Sequence, residues 1–233
     1  MKKTLQISNA VALIITIVVN YISNTGILNG NTMKTVSDSY FNYFTPAGYA
    51  FSIWGLIYIG LLGFVIYTGR SLFKKDDGDQ IVLKIGWWFV ISCLGNSLWV
   101  ISWLYLYTGF CVILMVVVLF SLLKIILNTR MELDAHPLKR YLLIYWPFAI
   151  YAGWISVALI ANVAAYLTKI KWTGWGVSEI NWTIIMIAIA GLLNVFMILT
   201  RNLREFALVG IWALIAIAVS SKGNDVQPIV YIS

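Results

Sequence analysis

Seven stretches of this chain run for fifteen residues or more with almost no charge, and this pattern narrows the accessible folds more than any motif does. A bilayer core about 30 Å thick takes roughly 20 apolar residues per helix. The stretches cover approximately 8–22, 48–68, 81–105, 110–127, 142–167, 182–199 and 206–220. The charges they do contain, Lys84 and Lys124, lie near the ends and can snorkel. A soluble domain carries about 25% charged residues, whereas here the figure is 11%, against 61% hydrophobic. The same numbers exclude a disordered chain, and two cysteines cannot staple a secreted fold of this length. The expected fold class is an all-α integral membrane protein, a polytopic helical bundle of seven spans.

Basic residues divide unevenly between alternate connections. With the N-terminus cytoplasmic, the inner side holds Lys2, Lys3, Arg70, Lys74, Lys75, Lys84, Lys124, Arg130, Lys139, Arg140, Arg201 and Arg204, and the outer side Lys34, Lys169, Lys171 and Lys222. Twelve against four predicts an N-terminus inside and a C-terminus outside. The first span follows Met1-Lys2-Lys3 and has the form of a secretory signal, but Asn20-Tyr21-Ile22-Ser23-Asn24 is a poor cleavage site. A retained helix is expected. Cys93 and Cys111 fall inside spans, where thiols behave as small apolar groups, and indicate neither a disulfide nor a metal.

The connections differ in character. The first, about 23–46, is long for a helix hairpin and ends on Tyr40, Phe41, Tyr43 and Phe44, which makes it a candidate lid over the outer mouth. Residues 70–80 mix Lys74 and Lys75 with Asp76, Asp77 and Asp79 without EF-hand spacing, and read as a solvated turn. The single histidine, His136, sits in a basic loop and reads as a surface residue. Trp172 and Trp175 beside Gly174 and Gly176 have the composition of an interface anchor and turn.

Intramembrane ionisable residues are the usual marks of pumps and ion-coupled transporters, and none occurs at mid-span. A retinal protein needs a Schiff-base lysine near the centre of its last span, and Lys222 lies beyond that span. No nucleophile with a base and an orienting group can be assembled, and the phosphate- and dinucleotide-binding glycine patterns are absent. No nucleic-acid partner and no required cofactor are expected.

The polar residues that do lie within spans are uncharged and sit among aromatics at helical spacing. Phe51, Trp54 and Tyr58 follow i, i+3, i+7; Asn96, Trp99 and Trp103 repeat that spacing; Tyr151, Trp154, Ala158 and Asn162 do so again, with Ala158 leaving room between larger groups. Any one stripe would pass for an ordinary packing face. Three together offer flat rings with a few neutral hydrogen-bonding groups, which suits a flat, mostly apolar ligand.

The run Thr45-Pro46-Ala47-Gly48-Tyr49-Ala50-Phe51-Ser52-Ile53-Trp54-Gly55-Leu56-Ile57-Tyr58 resembles the second-helix signature of the TspO/translocator protein family, the tryptophan-rich sensory proteins. The step from Asn96 to Trp99 is similar to the family's third-helix N-x-x-W, and 151–162 to its fifth-helix Y-x-x-W-x-S-x-A-x-x-x-N. The departures are a spacing between Phe51 and Trp54 one residue shorter than usual, Val100 where serine is common, and Pro147 further from Tyr151 than the family's proline. The resemblance covers 1–168, a five-helix core, and leaves 169–233 as two additional spans.

What the resemblance implies is a bundle in the lipid bilayer, often a homodimer, with a pocket opening toward the first connection. Family members bind porphyrins, and some bind sterols or synthetic aromatic compounds. The implied ligand is a porphyrin or haem-like tetrapyrrole, and the expected site comprises Phe51, Trp54, Tyr58, Asn96, Trp99, Trp103, Tyr151, Trp154, Ala158 and Asn162. A sensor or carrier is the leading reading. Two others stay open: an enzyme, since family members have been linked to light- and oxygen-dependent porphyrin breakdown, and a secondary transporter of a neutral substrate. Gly60 and Gly63 are candidate helix breaks for the transporter reading.

Overall fold

The computed structural model describes residues 1–73, 80–223 and 227–232. Helix α1 is Lys2–Ile22, and α2, Met33–Ser39, lies within the first connection. A 3-10 turn, Gly48–Ser52, leads into α3, Ile53–Gly69. Next come α4, Ile81–Ile85, α5, Trp88–Leu104, and α6, Thr108–Thr129. The short α7, Leu138–Arg140, and a π-helical turn, Tyr141–Tyr145, precede α8, Trp146–Lys169. Helices α9, Glu179–Arg201, α10, Arg204–Gly223, and α11, Gln227–Ile232, complete the chain. The turn expected around Lys74, Lys75, Asp76, Asp77 and Asp79 lies outside the described residues.

Among the described residues six stretches, Lys2–Ile22, Gly48–Leu72, Thr108–Thr129, Leu138–Lys169, Glu179–Arg201 and Arg204–Lys222, are long and apolar enough to cross a membrane. The chain is an integral, multi-pass membrane protein folded as an α-helical bundle. The span expected over 81–105 is not one helix. It breaks at Gly86, whose φ of 58° and ψ of −141° suit a residue without a Cβ. Beyond the break, α5 has 17 residues and is about 26 Å long at 1.5 Å per residue.

Hydrogen bonds between connections identify two ends of the bundle. At one, Nδ2 of Asn29 and of Asn31 each donate to the Leu104 carbonyl at 2.9 Å, and Lys169 Nζ donates to the Leu106 carbonyl. This is the lid end. At the far end Gln6 Nε2 donates to the Thr68 carbonyl and to Ser71 Oγ, and Asn128 Nδ2 to the Lys84 carbonyl.

Of the six membrane-length stretches, the one that contains α8 is the most enclosed and α9 the least. Small residues let neighbours come close, as is common between membrane helices. A Cβ on Gly60 would meet Pro147 side-chain carbons at 3.1 Å, and one on Gly63 would meet Leu143 at 3.2 Å. Neither glycine breaks α3, which runs unbroken through both; they seat α3 against the start of α8. On the other side of α8, Gly153 approaches the Phe206 backbone so closely that α10 packs directly on it.

Candidate ligand site

Successive turns of α3 place Trp54 and Tyr58 on the side facing α5 and α8, and Trp54 becomes the hub of the aromatic cluster. Its ring stacks on Tyr58 at 5.6 Å and on Trp99 at 6.1 Å, and meets Tyr151 at 5.8 Å and Trp154 at 6.4 Å edge-on. Phe51 lies edge-on to Trp154 at 6.1 Å, and Trp99 is tilted against Trp103 at 6.4 Å. These offset and T-shaped arrangements are the ones the ring quadrupole favours.

Neutral hydrogen bonds fix the rings. Trp99 Nε1 donates to Asn162 Oδ1 at 2.9 Å, while Asn162 Nδ2 donates to the Ala158 carbonyl, so the amide's orientation is set by its own helix. Trp103 Nε1 donates to the Met33 carbonyl in the first connection at 3.3 Å. Asn96 is fully buried and accepts from Asn20 Nδ2 at 2.9 Å. By contrast the Nε1 of Trp154 and the hydroxyl of Tyr58 are buried without a hydrogen-bond partner. An unpaired buried donor is costly, so each is a place where an acceptor would be welcome.

The cluster borders a cavity of about 50 Å³. Seven of the ten expected residues line it: Phe51, Trp54, Trp99, Trp103, Trp154, Ala158 and Asn162. Tyr58 instead lines a second hollow of about 260 Å³ between α1 and α3, with Asn20 and Asn24. Asn96 and Tyr151 stand behind the rings and line neither. Met33, Phe51 and Trp54 border both hollows, so Trp54 is the partition between them. No charged side chain lines the cavity among the described residues.

Residues 6–233 match a family model described as TSPO-like protein. The chain belongs to this family. No curated protein and no solved structure matches it. For this TSPO-like protein the match continues beyond residue 168 through α9 and α10, and α10 reaches the site itself: Ala213 lines the cavity, Trp212 Nε1 donates to the Ala50 carbonyl, and Ala47 N donates to the Ala216 carbonyl. The motifs did not point to α10, because its contribution is one small residue and two hydrogen bonds to backbone.

The first connection contributes more of the wall than the sequence suggested. Met33, Ser37, Tyr40, Asn42, Phe44 and Thr45 all face the cavity, and Phe44 is buried. Helix α2 holds this segment in shape, its N-cap Thr32 accepting from Thr35 N in a reciprocal capping box. A signal existed for α1 too. Asn9, Thr16 and Asn20 share one face at i, i+7, i+11, and Thr16 Oγ1 lies 3.2 Å from Ser97 Oγ on α5. Among the described residues no group of three or more His, Cys, Asp or Glu is placed to hold a metal ion.

Proposed function

We propose that this TSPO-like protein is a membrane sensor or carrier that binds a flat, largely apolar ligand of the porphyrin class among Phe51, Trp54, Tyr58, Asn96, Trp99, Trp103, Tyr151, Trp154, Ala158 and Asn162. The observation that carries the reading is the convergence of rings from three helices on one uncharged hollow beneath the first connection. The buried, unpaired Trp154 Nε1 adds a donor for a polar group on the guest. At about 50 Å³ the cavity is well below the ~300–1,000 Å³ of small-molecule sites, so the described arrangement is a collapsed, closed site. Binding requires Trp54 to swing toward the 260 Å³ hollow on its other side, or the segment carrying Tyr40 and Phe44 to lift.

The same proposal has seven passes with the N-terminus inside. In its favour, α5 runs from the far end at Trp88, whose ring Lys124 approaches, to the lid end at Leu104. Of the twelve basic residues that the sequence count puts inside, Arg70, Lys84, Lys124 and Arg130 lie in or beside the far-end connections.

The test is a titration of the purified protein with protoporphyrin, followed by tryptophan quenching, beside an Ala158→Trp variant, which fills the cavity from α8. The variant is expected to lose at least tenfold in affinity, since the added indole occupies the space that the guest must take between the rings. Unchanged affinity would remove the site. Recovery of the guest intact after illumination fits a binder, and altered guest supports the enzymatic alternative.

A further inference from the structure

A third hollow, of about 840 Å³, lies outside the aromatic cluster, between α8, α9 and the first connection. It falls within the roughly 300–1,000 Å³ typical of small-molecule sites. Leu159, Val163 and Leu167 of α8 and Met186 of α9 wall its deeper part. From 159 to 167 this apolar wall rises about 12 Å along the helix axis. Toward the lid end the wall turns polar, with Thr168, Lys171, Ser178 and Glu179.

The mouth is shaped by a tryptophan cluster. Trp172 lies 5.3 Å from both Trp175 and Trp182, and Trp182 Nε1 donates to the Gly174 carbonyl at 2.9 Å, which ties the 170–178 loop to α9. Trp175 is 81% exposed, the placement of a ring that sits at head-group level in a bilayer. Lys171 and Glu179 carry opposite charges on this one rim, and no ion pair joins them. An apolar trough ending in one cation and one anion, at the depth of the lipid head groups, complements an amphiphile that carries both charges.

We propose that the hollow between α8 and α9 is a site for a zwitterionic phospholipid. One acyl chain lies along Leu159, Val163 and Leu167, the phosphate meets Lys171, and the ammonium meets Glu179. This assignment is independent of the porphyrin reading, because the hollow shares only Asn42 and Phe44 with the aromatic cavity. Through those two residues a bound lipid would brace the first connection from outside.

Native mass spectrometry of the full chain, delipidated in detergent and titrated with phosphatidylethanolamine, tests the proposal. One saturable lipid per chain is expected, with phosphatidylglycerol bound more weakly because its head lacks the ammonium and faces Glu179. Ala164→Trp and Met186→Trp, which fill the trough from opposite walls, are each expected to abolish the saturable lipid. Lys171→Gln, at an exposed position, is expected to weaken it by about tenfold, the scale of one charge-assisted contact. Saturable binding unchanged by all three substitutions would overturn the site. Equal affinity for the two lipids would overturn the head-group assignment, and uptake that never saturates would mean annular lipid only.

Discussion

Replacing Gly153 by alanine probes the contact on which the closed site depends. A Cβ at this position would stand 2.7 Å from the Phe206 carbonyl oxygen, 3.1 Å from its Cα and 3.2 Å from Val209 Cβ. Carbon–oxygen contacts settle at about 3.3 Å or more, so α10 would have to retreat from α8 by about 0.6 Å. Two of the three atoms are backbone and the third is β-branched, so no flexible side chain can yield instead. Overpacking of this kind costs about 1–3 kcal/mol, offset by up to about 1 kcal/mol because alanine is the better helix former. Gly191 supplies the control, since it lies inside α9 and a Cβ there would meet nothing within 4 Å. Gly191→Ala collects the helix gain alone. The difference between the two variants therefore isolates the packing term. In a chain of this size 1 kcal/mol moves a thermal midpoint by about 2–4 °C, so Gly153→Ala is expected to melt about 2–12 °C below Gly191→Ala, followed by circular dichroism in one detergent. Retreat of α10 would also stretch the Trp212–Ala50 hydrogen bond and withdraw Ala213 from the cavity. If the two variants melt together, α10 does not lie against α8 and the wall it forms is misassigned.

Three further outcomes rest on single interactions. Asn162→Leu removes the acceptor of a buried indole N–H and is expected to cost between about 0.6 and 3 kcal/mol; Trp99→Phe should cost less by about 0.5 kcal/mol or more in the Asn162→Leu background than alone, the packing loss being common to both, and an additive double-mutant cycle would refute the pairing. Glu132, in the far-end loop, has a carboxyl raised from 4.5 to about 7 by burial and then by Glu205, with Arg204 opposing. Because the folded state holds this proton more tightly, the stability it lends is full below the unfolded value of 4.5 and lost as pH rises through about 7. Solvent screening at this partly exposed residue limits the effect to on the order of 1 kcal/mol, and Glu132→Gln should flatten that part of the melting profile. Trp212→Phe keeps an aromatic ring against Tyr49 but deletes the donor to the Ala50 carbonyl; a fall in midpoint of about 1–6 °C is expected, and no change would mean that α10 does not hold the turn before α3.

The helical pattern and the three aromatic stripes were legible because both are local: charge confinement and i, i+3, i+7 spacing need only one helix at a time. What each ring faces was not, since it depends on helix rotation and crossing. Tyr58 shares a stripe with Phe51 and Trp54 yet opens onto a different hollow, and Asn96 shares one with Trp99 yet turns to Asn20. The break at Gly86 was hidden inside an apolar run, where Ile85-Gly86-Trp87 reads as continuous helix until its dihedrals are known. The size of the cavity could not be read at all, because rings that converge can enclose a void or stack on one another. Here they mostly stack.

That stacking says what kind of guest the proposed site can take. Opening it means parting Trp54 from Tyr58, Trp99, Tyr151 and Trp154, contacts worth together on the order of 2–6 kcal/mol. A planar aromatic macrocycle restores face and edge contacts to the parted rings and offsets most of that loss. A puckered, reduced tetrapyrrole of nearly the same size and hydrophobicity restores the buried area but not the ring geometry. Protoporphyrin should therefore bind at least tenfold more tightly than protoporphyrinogen when both are titrated under anaerobic conditions in the dark, the ratio corresponding to the recovery of roughly 1.4 kcal/mol or more of ring contact. Equal affinities would mean that the guest does not part the rings at Trp54. Binding would then have to be sought in a hollow that is already open.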